Sequence, residues 1–133
     1  MMRRNRWRLT GAFVLTAAVA SANQARVRDA GWTAPSEDAA RLNPLAGRPD
    51  AAAGGGKVFR HRCTVCHGAD GRGTPKGPDL SGQDVQARTD GALFWKISRG
   101  NARTGMPAFS FLPEPQRWQL ILHLRSLTTV TAP

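Results

Sequence analysis

Two cysteines and a histidine stand in the pattern Cys63-Thr64-Val65-Cys66-His67, in a chain of 133 residues that has no other cysteine. Thiols three positions apart on one helical turn reach the two vinyl groups of a single porphyrin, and the next residue projects its imidazole at the iron. A redox dithiol expects a βαβ context and a zinc site expects a second pair of ligands; neither is present. The pattern therefore predicts one covalently attached haem c.

A low-spin electron carrier needs a second protein ligand on the other face of the iron. Apart from the two at its start, the chain has one methionine, Met106, which lies 39 residues after His67. A lone methionine is usually a core residue, but its place in a loop between Gly105 and Pro107 favours a ligand. His123 is the rival, although its apolar helical surroundings favour a packed core histidine. A thioether ligand raises the reduction potential relative to a second imidazole.

Three segments carry helical signals, and no segment alternates with period two for long enough to indicate a strand. These helices are predicted over residues 51–62, 89–99 and 113–128. Asp50 is the expected N-cap of the first, and Thr89 or Asp90 caps the second, which ends at Gly100. The predicted fold class is all-α, with two long loops between the helices.

Three consecutive glycines, Gly54 to Gly56, fall within the first predicted helix. Each glycine inside a helix costs about 1 kcal/mol relative to alanine. One interpretation is that the helix starts late, at Gly56. The other is that one of these glycines lets a second helix approach closely.

Taken in order, these motifs resemble those of the class I cytochromes c, especially the short bacterial monohaem type and the c-haem domains of oxidase subunits. The resemblance covers residues 51–131. Beyond the Cys63–His67 motif it rests on Gly77-Pro78-Asp79-Leu80 and on Gly105-Met106-Pro107. It implies a fold of three main helices and long loops wrapped around one covalent haem.

The resemblance also implies roles for individual residues. The Pro78 carbonyl is expected to accept a hydrogen bond from the second ring nitrogen of His67, which orients the ligand and raises its basicity. Leu80, Ile97 and Leu124 are expected to pack on the porphyrin.

A helix crossing is implied as well. Gly55 and Phe59 match the positions at which the family's first helix crosses its last helix, where they face Leu120 and His123. The family usually has an aromatic residue at the position of His123, which supports packing over ligation.

The first 22 residues have the features of a secretory signal peptide. Four arginines lie within the first eight residues, and an uncharged stretch, residues 9–22, follows and ends in Ala20-Ser21-Ala22. Those 14 residues are fewer than the roughly 20 that span a bilayer. We therefore predict a signal peptide over residues 1–22, a leader or wrapping segment over 23–50 and a haem domain over 51–133, in the periplasm. The alternative is an uncleaved membrane anchor.

The formal net charge is +10, which taken alone suggests an acidic partner such as nucleic acid or an anionic membrane. Four of these charges belong to the signal peptide, and residues 51–133 carry 11 basic and five acidic residues, a net of +6. An acidic redox protein is then a better partner than nucleic acid. A basic ring around the haem edge is one interpretation of Arg60, Arg62, Arg72, Lys76, Lys96, Arg99 and Arg103. The other is that these are ordinary solubilising surface charges.

These features predict an electron carrier of the respiratory chain rather than an enzyme. The expected partners are a periplasmic dehydrogenase, a quinol–cytochrome c oxidoreductase or a terminal oxidase. Two alternatives stay open: a haem protein with an open distal site, acting as a peroxidase or a small-ligand sensor, and a membrane-anchored cytochrome subunit of a larger complex.

Overall fold

A computed structural model describes residues 32–130. Its three longer helices lie where the apolar spacing predicts them. The helices are α1 (Ser36–Ala39), α2 (Pro49–Arg62), α3 (Thr64–His67), α4 (Gln83–Gln86), α5 (Asp90–Arg99) and α6 (Glu114–Ser126), with a 3₁₀ turn at Leu127–Val130. Within the described residues there is no strand, only two isolated bridges, and the predicted all-α class is confirmed. The predicted signal peptide lies outside the described residues. Residues 32–130 contain no helix long and apolar enough to span a membrane.

The residues at the ends of α2 and α5 explain where these two helices start and stop. α2 starts at Pro49 and has Arg48 as its N-cap residue, so the prediction of Asp50 as N-cap was wrong. Proline suits the first helical position because its missing N–H has no partner there. The prediction for α5 is confirmed: the Thr89 hydroxyl accepts a hydrogen bond from the Ala92 backbone N–H at 3.1 Å, and the helix ends at Gly100, where φ is +64°.

The crossing of α2 over α6 is the tightest contact between helices. α2 runs without interruption through the three glycines, so the interpretation of a late start at Gly56 was wrong. A Cβ atom on Gly55 would overlap the backbone carbonyl of Gln119. Phe59 is 1% exposed, and its ring centroid lies 4.9 Å from that of His123. The predicted crossing is therefore confirmed.

α5 closes the core against α6. The rings of Phe94 and Trp118 stack with centroids 4.0 Å apart. The buried hydrophobic cluster consists of Phe59, Leu93, Phe94, Ile97, Phe109, Leu112, Trp118, Leu120, Ile121 and Leu124. It draws on α2, α5, α6 and the loop between the last two, so each helix contributes one apolar face.

The segment before α2, residues 32–48, lies along α5 and the start of α6. The Thr89 hydroxyl donates to the Ala39 carbonyl at 2.7 Å. The buried Asn43 side chain donates to the Trp118 carbonyl at 3.2 Å. Near the start of the segment, Trp32 stacks on Trp95 with ring centroids 6.2 Å apart. We call these residues the N-terminal strap.

The helix crossing generates a prediction for Gly55→Ala. The added methyl group meets backbone, which cannot move aside cheaply, so we expect a loss of about 1–3 kcal/mol in the free energy of unfolding. Urea denaturation measures it. Gly54→Ala is the matched control, because its methyl would meet only the flexible Gln119 side chain, 2.7 Å from the amide oxygen. Equal effects of the two substitutions would contradict a backbone crossing at Gly55.

His123 generates a prediction about acid stability. Burial lowers the pKa of this imidazole below its ordinary value of 6.5, and the nearby Arg60 charge lowers it further. The unfolded chain therefore binds a proton more readily than the folded one, and His123 removes stability as the pH falls through 6.5 and below. His123→Phe, which keeps an aromatic ring against Phe59, is expected to reduce the loss of stability between about pH 7.5 and 5.5.

Urea unfolding at several pH values measures this slope. His61→Gln serves as control, because His61 is exposed and lies outside the crossing. If His123→Phe and the unaltered protein lost stability equally over this range, the neutral buried imidazole would be excluded.

Candidate functional site

The two thiols and the His67 imidazole sit on a single turn at the end of α2. Cys63 ends that helix, with its N–H bonded to the Phe59 carbonyl at 2.9 Å. The Cys63 carbonyl then accepts the N–H groups of Cys66 and His67 at 3.1 and 2.9 Å. α3 and its N-cap residue Cys63 therefore fix the positions of the two cysteines and His67 relative to one another. Neither cysteine forms a disulfide.

The thiols do not have the properties of a redox pair. Burial, with a smaller contribution from the Cys66 thiol, raises the pKa of Cys63 to about 11. Reactive C-x-x-C pairs instead lower the thiol pKa so that a thiolate forms near neutral pH. A half-buried Cys63 with a raised pKa, beside a second half-buried thiol and a histidine, fits attachment to an apolar cofactor better than disulfide exchange.

The His67 ring is oriented by a backbone carbonyl. Nδ1 lies 2.9 Å from the Pro78 oxygen. A carbonyl can only accept, so Nδ1 carries the proton, and the lone pair of Nε2 is left for a metal. The hydrogen bond that the resemblance implies is present, and it orients the ring as a second contact orients a metal-ligating histidine.

Glycines let the loop after α3 come this close to the ring. A Cβ atom on Gly77 would lie 2.8 Å from the Cys66 oxygen and 3.1 Å from His67 Nδ1. The Gly73 N–H donates to the His67 carbonyl at 2.8 Å, with φ at Gly73 of +89°. The loop is thus built around the histidine rather than merely next to it.

Met106 lies in a second loop whose backbone is fixed. It forms an antiparallel bridge with Asn101, through hydrogen bonds of 2.8 and 3.0 Å. Further along, the Phe109 N–H donates to the Ile97 carbonyl on α5 at 3.0 Å. The half-buried Met106 side chain packs against the hydrophobic cluster.

The apolar residues expected around the cofactor come from three elements. Ile97 on α5 and Leu124 on α6 are each 5% exposed, and half-buried Leu80 packs against the same cluster. Cys63 and Met106 also contact that cluster. Thiols, imidazole, thioether and apolar side chains are the set that a covalent haem requires, so these residues fit the group. Among the described residues, no three His, Cys, Asp or Glu side chains converge to hold another metal.

Two of the remaining sequence predictions concern charge and the rival ligand. Lys96 is 6% exposed, and its Nζ lies 5.0 Å from the Trp32 ring centroid. Its placement in an exposed basic ring was wrong, because the N-terminal strap covers it; the other six members are exposed. His123 packs on Phe59 at the helix crossing, as a core histidine would.

A polar network near the site was missed in the sequence. The Arg125 guanidinium on α6 contacts Asp90 at 2.7 Å and the Gln86 carbonyl at 2.9 Å. The Gln86 side-chain amide lies within hydrogen-bonding distance of the carbonyls of Leu80 and Leu124. No motif signals such contacts, because both acceptors are backbone atoms of other elements.

Comparison with known proteins agrees with this geometry. Residues 50–124 match the family model described as "Cytochrome C oxidase, cbb3-type, subunit III". The match covers more than half of the chain and includes the Cys63–His67 turn, Pro78 and Met106. No curated protein matches the chain.

Proposed function

The chain belongs to the family of c-type cytochrome domains described as cbb3-type cytochrome c oxidase subunit III, and on that premise we propose that it is a periplasmic monohaem carrier of single electrons. Family membership implies haem-based electron transfer. The finer proposal is that His67 and Met106 are the two axial ligands and that the protein shuttles between separate redox proteins. The main support for His67 as a ligand is the hydrogen bond from its Nδ1 to the Pro78 carbonyl, since this bond leaves Nε2 available to a metal.

The residues present divide the work of holding the cofactor. Cys63 and Cys66 would hold haem c through thioethers, with His67 and Met106 on its two faces. Haem c, when bound, supplies a one-electron iron couple. Pro78 keeps the imidazole in one orientation, and the Asn101 bridge keeps the Met106 loop in place. Ligands held by fixed backbone change little in geometry between the two oxidation states, which favours fast electron transfer.

Exposed apolar side chains near the attachment turn support docking of a partner. Val65, between the two cysteines, is 69% exposed and Phe111 is 63% exposed. The Arg62 guanidinium lies 5.6 Å from the Phe111 ring centroid. Apolar contact with basic charge nearby suits a weak, salt-sensitive encounter with an acidic redox protein. A periplasmic dehydrogenase, a quinol–cytochrome c oxidoreductase or a terminal oxidase would each provide such a surface.

The family description favours a second candidate, a cytochrome subunit that stays with a larger oxidase complex. Residues 1–22 would then remain attached as an anchor. The mass of the mature protein and its partition between periplasmic and membrane fractions separate the two candidates. A mass that lacks residues 1–22 in the periplasmic fraction supports the carrier.

Met106→Ala tests the axial ligands. The holoprotein is expected to show a low-spin spectrum and to resist carbon monoxide. The substitution should abolish the methionine-to-iron absorption band and allow carbon monoxide to bind. Phe111→Ala, an exposed change in the same loop, is the control. An unchanged spectrum in Met106→Ala would exclude this ligand, whereas carbon monoxide binding by the unaltered protein would support the open-site alternative.

Arg62→Glu tests the docking surface. Electron transfer with a reduced acidic blue-copper protein, followed by stopped flow at low ionic strength, is expected to slow by about tenfold, the lower end of the range for electrostatic steering. The difference should fade as salt is added. Arg48→Glu carries the same charge change at the other end of α2, about 20 Å away. Equal slowing by both substitutions would point to net charge alone and against this surface.

A further inference from the structure

We propose that Gln86 is a positioning residue for His67, because its side-chain amide ties the loop that carries the Pro78 carbonyl to α6. The tie would set the direction and strength of the hydrogen bond that the His67 ring donates. This inference rests on the proposed function, since it concerns the histidine as an iron ligand.

The tie uses both hydrogens of one amide group. Gln86 Nε2 lies 2.8 Å from the Leu80 carbonyl oxygen and 2.9 Å from the Leu124 carbonyl oxygen. Leu80 is only two residues after Pro78, whereas Leu124 belongs to the buried face of α6. One side chain therefore joins the loop around His67 to the backbone of α6 next to a buried core residue.

The amide is itself held by an ion pair. Arg125 donates to the Gln86 backbone carbonyl at 2.9 Å, and more weakly, at 3.4 Å, to its side-chain oxygen. The same guanidinium contacts Asp90 at 2.7 Å, with both side chains less than a third exposed. With the amide oxygen facing the guanidinium, the NH₂ group must face the two carbonyls, which fixes the orientation of the amide.

The other end of the loop is already fixed to the His67 turn. Gly73 N–H donates to the His67 carbonyl, and Leu80 N–H donates to the Gly71 carbonyl at 2.7 Å. These bonds bring the loop back to the turn, and the Leu80 side chain packs on the hydrophobic cluster. The Gln86 amide adds a hydrogen-bonded link from the Leu80 carbonyl to the α6 backbone. Loss of the amide would remove this constraint on the Pro78–Leu80 backbone and allow the Pro78 carbonyl to shift relative to His67 Nδ1, while the other contacts keep the loop folded.

Such a shift has a measurable consequence at the iron. A weaker hydrogen bond at Nδ1 lowers the basicity of the imidazole, since this bond is what raises it. A less basic ligand stabilises the ferric state less. The reduction potential should therefore rise when Gln86 loses its donors.

Gln86→Met tests the proposal in the holoprotein, because methionine has a similar length and no donor. We expect the equilibrium constant for reduction, measured by mediator titration, to shift toward the ferrous state by up to about tenfold, which equals about 59 mV for one electron. Gln83→Met is the matched control, since Gln83 is an exposed residue on the same short helix. It should leave the constant unchanged.

A purely structural role gives a different result. If Gln86→Met lowered the unfolding temperature while its reduction potential matched that of Gln83→Met, the positioning role would be overturned. A second measurement needs no variant: in the ferrous protein, the Gln86 side-chain NH₂ protons should exchange with solvent far more slowly than those of Gln83. Equally fast exchange would overturn the tie, even if Gln86→Met does not fold.

A separate measurement, covalent haem absorption, tests the proposed electron-transfer function itself. Unaltered protein that carries no covalent haem absorption after denaturation would contradict the proposed function itself. Protein that carries haem, with no shift on Gln86→Met, contradicts only the role of Gln86.

Discussion

The contact of α2 with α6 at Gly55 determines where the whole candidate site lies. Because a glycine allows the backbone of α2 to rest on the Gln119 carbonyl, the two helices meet without an intervening side-chain layer. Phe59, one turn further on, is then buried at the same crossing. The Cys63–His67 turn begins four residues after Phe59, so the crossing sets its position relative to α6. A wider crossing would carry the thiols and the imidazole away from Leu124.

Two loops, one after α3 and one after α5, position the remaining candidate site residues. On one side, close approach at Gly73 and Gly77 brings the Pro78 carbonyl to His67. On the other, the bridge between Asn101 and Met106 holds a thioether against the core. Loops of this kind lack regular secondary structure, yet each is pinned by backbone hydrogen bonds to a neighbouring element. Both candidate ligands therefore sit next to backbone that these hydrogen bonds hold in place.

Much of this could be predicted from local sequence signals. The C-x-x-C-H spacing has a specific chemical meaning, and the capping of α5 by Thr89 and its end at Gly100 follow from backbone preferences. The helix crossing required the resemblance to a family, because three consecutive glycines also allow a late helix start. The cap of α2 was mispredicted since Pro49 competed with Asp50 for the first turn. Residue preferences alone do not decide which of two adjacent residues, each suited to a helix start, becomes the N-cap.

Long-range polar contacts were beyond prediction for a different reason. Gln86 and Arg125 donate to backbone carbonyls, and a carbonyl is offered by every residue, so no residue type announces the acceptor. Lys96 was predicted to belong to a basic ring at the surface because lysine is usually exposed, but Trp32 of the N-terminal strap covers it. Contacts that depend on which backbone atoms meet in space follow only from the assembled fold.

The structure also changes how the positive charge should be counted. Several cations of the haem domain are engaged internally: Arg125 joins α6 to Asp90, Arg117 lies 4.5 Å from the Phe94 ring centroid, and Arg88 lies 4.6 Å from that of Trp32. The strap takes part through Trp32, against which both Arg88 and Lys96 lie, so part of the basic charge is used within the fold. Six exposed cations lie on or next to the segments that carry the candidate ligands: Arg60, Arg62, Arg72, Lys76, Arg99 and Arg103. Arg41, Arg48 and Lys57 are exposed elsewhere on the described residues. The exposed positive charge is therefore spread over the strap as well as the segments around the candidate site, and the total that composition gives overstates the charge that reaches the surface.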